Sequence, residues 1–334
     1  MFRTKKVVFL PDKSGWVTSW EQAAIRDILN QINIEAKVSN FSLFHSVYFS
    51  DKYQAASLAH IYNYLGNCGV FDYFHGDPTI SPEAGPLLKK IIQKRSCFSR
   101  IRVSHSGMES MLHSAGLGDL AYRIPIGINL DWFPSRTLEN KEQSRKRLKI
   151  PDHAVVIGSF QKDGEGWGEG MSPKLIKGPD LLLETLGVLS QRVPELFVLL
   201  TGPSRGFVKS GLNRLKIPFK HYNVPQYPDL GMLYHALDGY LITAREEGGP
   251  KAVLESMATG IPLVTTKVGQ AQDLVEHEHT GWLAESGTAE ELAELMFHCL
   301  EQPITREQIR RARNTAEANS YLEQKPLWRE FFTY

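Results

Sequence analysis

The 334-residue sequence predicts an α/β chain folded as two doubly wound domains. Three observations carry that expectation. Short apolar runs alternate with helical patterns along the chain, which implies parallel sheets covered on both faces. The alternation forms two series, separated by the polar, proline-flanked stretch PSRTLENKEQSRKRLKIPD (134–152). The length also suits about two domains, and 42% of the residues are hydrophobic, ample material for two cores.

The first strand is expected in KVVFLP (6–11), an apolar run too short for a signal peptide. IEAKVS (34–39), SVYF (46–49), VFDYF (70–74), IRVS (101–104) and YRIPIG (122–127) follow. The second series is AVVIGSF (154–160), LFVLLTG (196–202), FKHYN (219–223), GYLIT (239–243), PLVTT (262–266) and GWL (281–283). Helical patterns lie between most of them, as at 20–32, 179–192 and 250–259. With the interdomain linker at about 134–152, the domains are expected at 1–150 and 151–318, with a closing helix at 319–334. No fixed-period repeat and no low-complexity tract is visible.

No stretch approaches the roughly 20 apolar residues that span a bilayer, so a cytoplasmic protein is expected. Cys68, Cys97 and Cys299 are scattered and odd in number, which fits a reducing compartment. No His, Cys or Asp cluster has metal spacing, so neither a metal nor a cofactor is expected. A net charge of +1 gives no reason to expect a nucleic-acid partner. The charge is uneven, however. Residues 1–150 carry 20 Lys+Arg and 13 Asp+Glu (+7); residues 151–334 carry 18 and 24 (−6). In PLLKKIIQKRSCFSRIR (86–102), Leu87, Leu88, Ile91 and Ile92 form one helical stripe. Lys89, Lys90, Lys94 and Arg95 cover the other side, with Arg100 and Arg102 nearby. This reads as a core-facing helix with a solvated basic face, or as a basic helix lying on an anionic membrane.

The richest segment is GYLITAREEGGPKAVLESMATGIPLVTT (239–266). A strand ending near Thr243 leads through a loop into a helix beginning about Pro250, a residue that suits the first turn. Gly248 and Gly249 allow a ligand close to the backbone. The helix start offers free N–H groups and a positive dipole end, which suit phosphate or sugar oxygens. Glu247 stands before the helix and Glu255 inside it, where carboxylates can accept hydrogen bonds from hydroxyls. Two glutamates at this spacing also arise by chance, and acidic residues favour helix starts in any case.

The wider order is strand, Glu247, seven residues, Glu255, then ESMATGIPLV (255–264), GQAQD (269–273) and HTGWL (279–283). It resembles the donor-site signature of family 4 retaining glycosyltransferases, which have the GT-B fold. The departures are Gln270 for a glycine, Asp273 for a glutamate, and EGGP where EGFG is frequent; the last bears on sugar choice. The resemblance continues through RVSHSGMESML (102–112), YRIPIGINLDWF (122–133), VIGSF with KGPDLLLETLGVL (156–189), LTGP (200–203), QYPDLGMLYHALDGYLIT (226–243) and SYLEQKPLWREFFTY (320–334). Coverage runs from about residue 70 to the end.

The resemblance implies two Rossmann-like domains facing a cleft, with the final helix crossing back to the first domain. It implies a nucleotide-diphosphate sugar as donor substrate and a glycan or lipid-linked acceptor. It also implies retention of configuration, which suggests a front-face displacement free of metal. Lys177 then falls at the donor diphosphate, with Lys162 as a second cation across the glycine-rich insertion DGEGWGEGMSPKLI (163–176), expected to be flexible. Glu247 falls at the donor sugar, Gly248, Gly249, Pro250 and Lys251 around it, Glu255 at the ribose, and Val224 at the base. In the first domain, Gly15 falls in a phosphate-approaching loop, His75 near the reacting carbon, and Asp77 and His105 toward the acceptor. A sugar-nucleotide epimerase and a non-catalytic sugar- or lipid-binding relative remain open as alternatives.

Overall fold

The computed structural model describes residues 6–12, 17–43, 45–302 and 304–333. The chain divides into two units, Met1–Gly127 with Asn319–Tyr334, and Ile128–Ala318.

The first unit carries β1 (Lys6–Phe9), α1 (Val17–Gln31), β2 (Glu35–Val38), β3 (Ser46–Phe49), α2 (Lys52–Tyr64), β4 (Cys68–Asp72), α3 (Gly85–Gln93), β5 (Phe98–Val103), α4 (Ser106–Ser114) and β6 (Ala121–Arg123). Its strands form one parallel sheet in the order β2-β1-β3-β4-β5-β6. Alternate side chains point to opposite faces. Val47, Phe49, Phe71 and Ile101 therefore enter one core, while Val7, Phe9, Tyr48 and Val70 enter the other.

The closing segment completes that second core. Its helix, Lys325–Phe332, buries Trp328, Phe331 and Phe332 against it. At about 1.5–3 kcal/mol for each large apolar side chain, this anchors the terminus by several kcal/mol. A polar tie accompanies the packing. Tyr321 donates its hydroxyl to Glu21 (2.6 Å), and Gln324 donates to the carbonyl of Pro125 (3.0 Å).

Beneath this segment Arg102 is wholly buried. Its guanidinium donates to Glu21 (2.8 Å) and to the carbonyls of Ile124 (2.9 Å) and Pro125 (2.7 Å), and lies 3.7 Å from Asp72. The ring of Trp328 covers it at 4.7 Å. Burial pushes the Asp72 carboxyl up to about 6, against the opposing pull of Arg102 and Tyr48.

The basic stretch 86–102 is divided between α3 and β5. α3 ends at Gln93, and Arg100 and Arg102 belong to β5. Lys94 turns inward to the carbonyl of Ala56 and the ring of His60, and Arg95 pairs with Asp119 (2.6 Å). Only Lys89 and Lys90 remain as exposed cations on α3. Leu88 and Ile91 are buried on α3, as the core-facing reading expects. No helix among the described residues is long and apolar enough to cross a membrane.

The second unit holds α5 (Leu138–Leu148), β7 (Val155–Phe160), α6 (Pro179–Ser190), β8 (Leu196–Thr201), α7 (Gly206–Leu215), β9 (Phe219–His221), α8 (Leu230–His235), β10 (Gly239–Ile242), α9 (Lys251–Thr259), β11 (Leu263–Thr266), α10 (Ala271–Leu274), β12 (Trp282–Ala284), α11 (Ala289–Glu301) and α12 (Arg306–Ala318). The helix of the closing segment in the first unit is α13. The sheet is again parallel, in the order β12-β11-β10-β7-β8-β9.

The unit boundary falls at Gly127/Ile128, not within 134–152. That stretch is mostly α5, opened by a reciprocal cap in which Thr137 and Asn140 exchange side-chain and backbone hydrogen bonds (2.8 and 3.1 Å). α5 is fastened to the second unit by charge. Lys141 (2.7 Å) and Arg145 (2.5 Å) both reach Asp238, which also accepts from the amide of Val156 (2.8 Å). A helix that is polar all round has no apolar stripe to reveal it. Moving α5 to the second unit also changes the charge balance. The first unit has 16 Lys+Arg against 12 Asp+Glu, or +4.

Candidate active site

In the second sheet the chain leaves β7 toward β8 and β9, then returns to β10 on the other side of β7. The loops after β7 and β10 thus diverge at a topological switch point, the usual ligand position in doubly wound sheets. Lys177 lies on the first of these loops and Glu247 on the second. Their side chains are paired, with the Lys177 ammonium on Oε1 of Glu247, and each is about one-fifth exposed (23% and 18%).

The two loops are stitched together by their backbones. Ile176 accepts from the amides of Arg245 (2.8 Å) and Glu246 (3.1 Å), and Leu175 accepts from the Arg245 guanidinium (2.8 Å). Arg245 also grips Asp180 with two bonds of 2.8 Å. Thr243 donates its hydroxyl to the carbonyl of Gly178 (2.8 Å). Gly178 has φ +63°, and a Cβ there would lie 1.8 Å from the carbonyl oxygen of Thr243. Gly178→Ala combines a left-handed strain of about 1–2 kcal/mol with a forced backbone shift of about 1–3 kcal/mol. Chemical denaturation should show a loss of roughly 2–4 kcal/mol. A change below about 1 kcal/mol would contradict this close approach.

A third loop closes the base of the site. Gly269, the glycine of GQAQD, has φ +51°, and a Cβ on it would meet the carbonyl oxygens of Glu247 (2.6 Å) and Gly248 (2.7 Å). Pro250 occupies the cap position of α9, and the helix proper starts at Lys251. Gly248 and Pro250 are buried and Gly249 half-buried.

Glu255 lies five residues into α9, is 3% exposed, and is gripped through both oxygens. Tyr227 donates to Oε1, and Tyr234 to Oε2 at 2.6 Å. Burial pushes its carboxyl up, opposed by the two tyrosine hydroxyls and the charge of Lys251. The Lys251 ammonium itself lies 5.6 Å over the Tyr227 ring. Val224 is half-buried and packs against the core, in keeping with an ordinary packing position.

The insertion at 163–176 is ordered, contrary to the flexible loop expected. Gly164 and Pro173 bridge as antiparallel partners, and Glu165 donates its amide to Ser172 (2.9 Å). The carbonyls of Glu169 and Gly170 accept from the first two amides of α7, at 2.6 and 2.9 Å. Asp163 pairs with Arg205 (3.0 Å), both wholly buried, and Arg205 also donates to the carbonyls of Ser159 (2.6 Å) and Thr201 (2.9 Å). Lys162 is drawn into this structure. Its ammonium donates to the carbonyl of Gly164 (2.9 Å) and lies 5.0 Å over the ring of Trp167. The geometry therefore pairs only Lys177, of the two expected cations, with Glu247.

In the first unit, His75 is exposed just beyond β4 and meets Lys52. Asp77 serves its own turn, with Oδ1 accepting from the amide (2.8 Å) and hydroxyl (2.7 Å) of Thr79. His105 caps α4, its Nδ1 3.4 Å from the amide of Met108. Gly15 lies outside the described residues.

Sequence reasoning missed Lys52, the two tyrosines on Glu255, and the Arg245–Asp180 fork. Only Lys52 left a local signal, a cation on the first residue of a helix directly after a strand, where the dipole disfavours it.

Comparison with known proteins finds matches in both sequence and fold. The family profile for glycosyl transferases group 1 matches residues 172–315. Over 216 residues, 61% of this chain and 52% of the other, the sequence is 27% identical to a GDP-mannose-dependent monoacylated alpha-(1-6)-phosphatidylinositol monomannoside mannosyltransferase of Corynebacterium glutamicum. Over 196 residues, 54% of this chain and 50% of the other, it is 33% identical to the lipopolysaccharide core biosynthesis mannosyltransferase LpsB of Rhizobium meliloti. The chain thus spans about half the length of these curated relatives. In fold it is similar to Anabaena HepE, solved in complex with UDP and glucose, with TM-score 0.77, 19% identity and 98% of each chain covered. The chain therefore has the GT-B fold, and its residues 172–315, which hold Lys177, Glu247 and Glu255, are similar to the group 1 glycosyl transferases.

Proposed function

We propose that the protein transfers a sugar from a nucleotide-diphosphate sugar to a hydroxyl of a glycan or lipid-linked acceptor. The observation that carries this reading is the Lys177–Glu247 pair at the switch point. A lysine ammonium suits phosphate oxygens, and a carboxylate suits sugar hydroxyls. A bound donor would draw Lys177 onto its diphosphate and release Glu247 to the sugar. The ribose diol would engage Glu255 by sharing or replacing the tyrosine hydroxyls. The relatives named above support the acceptor class, since their names refer to a phosphatidylinositol mannoside and to lipopolysaccharide.

The reaction is assigned as retaining. The bond from the anomeric carbon to the diphosphate oxygen breaks, and that oxygen leaves with the electron pair. The acceptor oxygen bonds the carbon from the same face, and its proton passes to the departing phosphate oxygen. Lys177 and the helix-start amides of α9 stabilise the developing charge, so transfer is expected to be independent of metal.

A thermal-shift panel of nucleotide sugars tests the binding half, because a ligand bound only by the folded state must raise stability. At least one, among them GDP-mannose and UDP-glucose, should raise the unfolding temperature, and transfer should survive EDTA. No shift from any nucleotide sugar would overturn the reading. Transfer abolished by EDTA and restored by manganese would overturn its metal independence.

A further inference from the structure

The first sheet has its own switch point, between β1 and β3, and α2 begins directly after β3. The first residue of α2, Lys52, is in an unfavourable place on two counts. Its cation faces the positive end of the helix dipole, and its side chain is buried, at 6% exposure. Lysine is seldom buried without partners, and the segment after β4 supplies them. The ammonium donates to the main-chain carbonyl of His75, lies 3.3 Å from His75 Nδ1, and sits 4.8 Å over the ring of Tyr73.

The turn is shaped around this ammonium. Gly76 has φ +97°, and a Cβ there would lie 2.5 Å from Lys52 Nζ. Tyr73 donates its hydroxyl to the carbonyl of Gly76 (3.0 Å), which holds the turn closed. Of the neighbouring acids, Asp51 accepts from the amide of Gln54 (2.7 Å), and Asp77 is engaged by Thr79.

An ammonium has three protons and no lone pair. A ring nitrogen facing it must be the acceptor, so the imidazole proton belongs on the other nitrogen. We propose that Lys52 is a positioning residue that holds His75 as the neutral imidazole protonated at Nε2. The exposed edge of His75 then offers an N–H donor to a substrate oxygen and no lone pair for use as a base. Which oxygen receives it rests on the proposed transferase reading; the tautomer does not.

The test uses the full chain with 15N-labelled histidine side chains, and His75→Gln to assign the resonance. Two-bond proton–nitrogen correlation at neutral pH should show His75 protonated at Nε2, with Nδ1 carrying the lone pair. Lys52→Met should let the second tautomer appear, and Lys52→Arg should restore the first. With a donor that shifts the thermal transition, Lys52→Met should lower kcat on the order of ten- to a hundred-fold while leaving the donor KM nearly unchanged. A proton on Nδ1 in the unmodified chain would overturn the proposal, as would an unchanged tautomer in Lys52→Met. If Lys52→Met does not fold, the tautomer of the unmodified chain decides alone. The clamp and the transferase reading fail separately: the correct tautomer without transfer removes the second, and transfer with an Nδ1 proton removes the first.

Discussion

Lys177→Ala and Glu247→Ala should each lower turnover by orders of magnitude and leave the protein folded. The two losses have different causes. Lys177 is assigned to the charge that builds on the departing diphosphate, and removing one such donor from a preorganised site costs about 100- to 1,000-fold in rate. Glu247 is assigned to sugar hydroxyls, so its loss should also loosen the placement of the anomeric carbon. The fold should survive because the pair is partly exposed and lies outside the cores. Partly exposed ion pairs contribute only about 0–1 kcal/mol to stability. Initial rates with the donor identified by thermal shift, together with denaturation of each variant, separate the two effects. Turnover near that of the unmodified chain in both variants would remove the pair from the site.

Arg102→Met should have the largest effect on stability, and it should act on the first unit. The guanidinium faces Glu21 and Asp72 in a dry core, capped by Trp328. Without it, two buried carboxyls lose their cation, and the carbonyls of Ile124 and Pro125 lose a donor. Breaking such a network by removing one partner costs about 3–5 kcal/mol. In a unit of this size that lowers the unfolding temperature on the order of 10 °C. The closing segment should loosen with it, because Tyr321 is bonded to Glu21 and Gln324 to Pro125. Hydrogen exchange across 319–333 should therefore rise more than exchange in β7 or β10. A loss of stability within about 0.5 kcal/mol would mean that the network is not coupled to folding.

All twelve expected strand windows overlap strands. Buried parallel strands must be apolar, and that demand is local. Where a window slipped, the reason is visible. VFDYF was expected over 70–74, yet β4 is Cys68–Asp72. Its first two residues carry no strong strand signal, while Tyr73 stays buried beyond the strand's end. α5 went unread because it is held by ion pairs to Asp238, a partner 97 residues from Lys141 and 93 from Arg145 in the chain. The insertion looked flexible because four of its 14 residues are glycine, yet its order comes from carbonyls that serve the first amides of α7.

The α/β class and the two strand series were legible along the chain, and the family resemblance singled out Lys177, Glu247 and Glu255 as candidates. Strand burial and loop chemistry leave their mark along a contiguous stretch of chain. Which of those residues meet is a matter of the three-dimensional arrangement. It paired Lys177 with Glu247 and turned Lys162 into the insertion. It placed two tyrosines on Glu255, and Lys52 behind His75. Apart from the turn of Lys162 onto its own loop, these contacts join elements that follow different strands, so they depend on the order of strands in the sheet. That order is set by long-range packing, which no local pattern records.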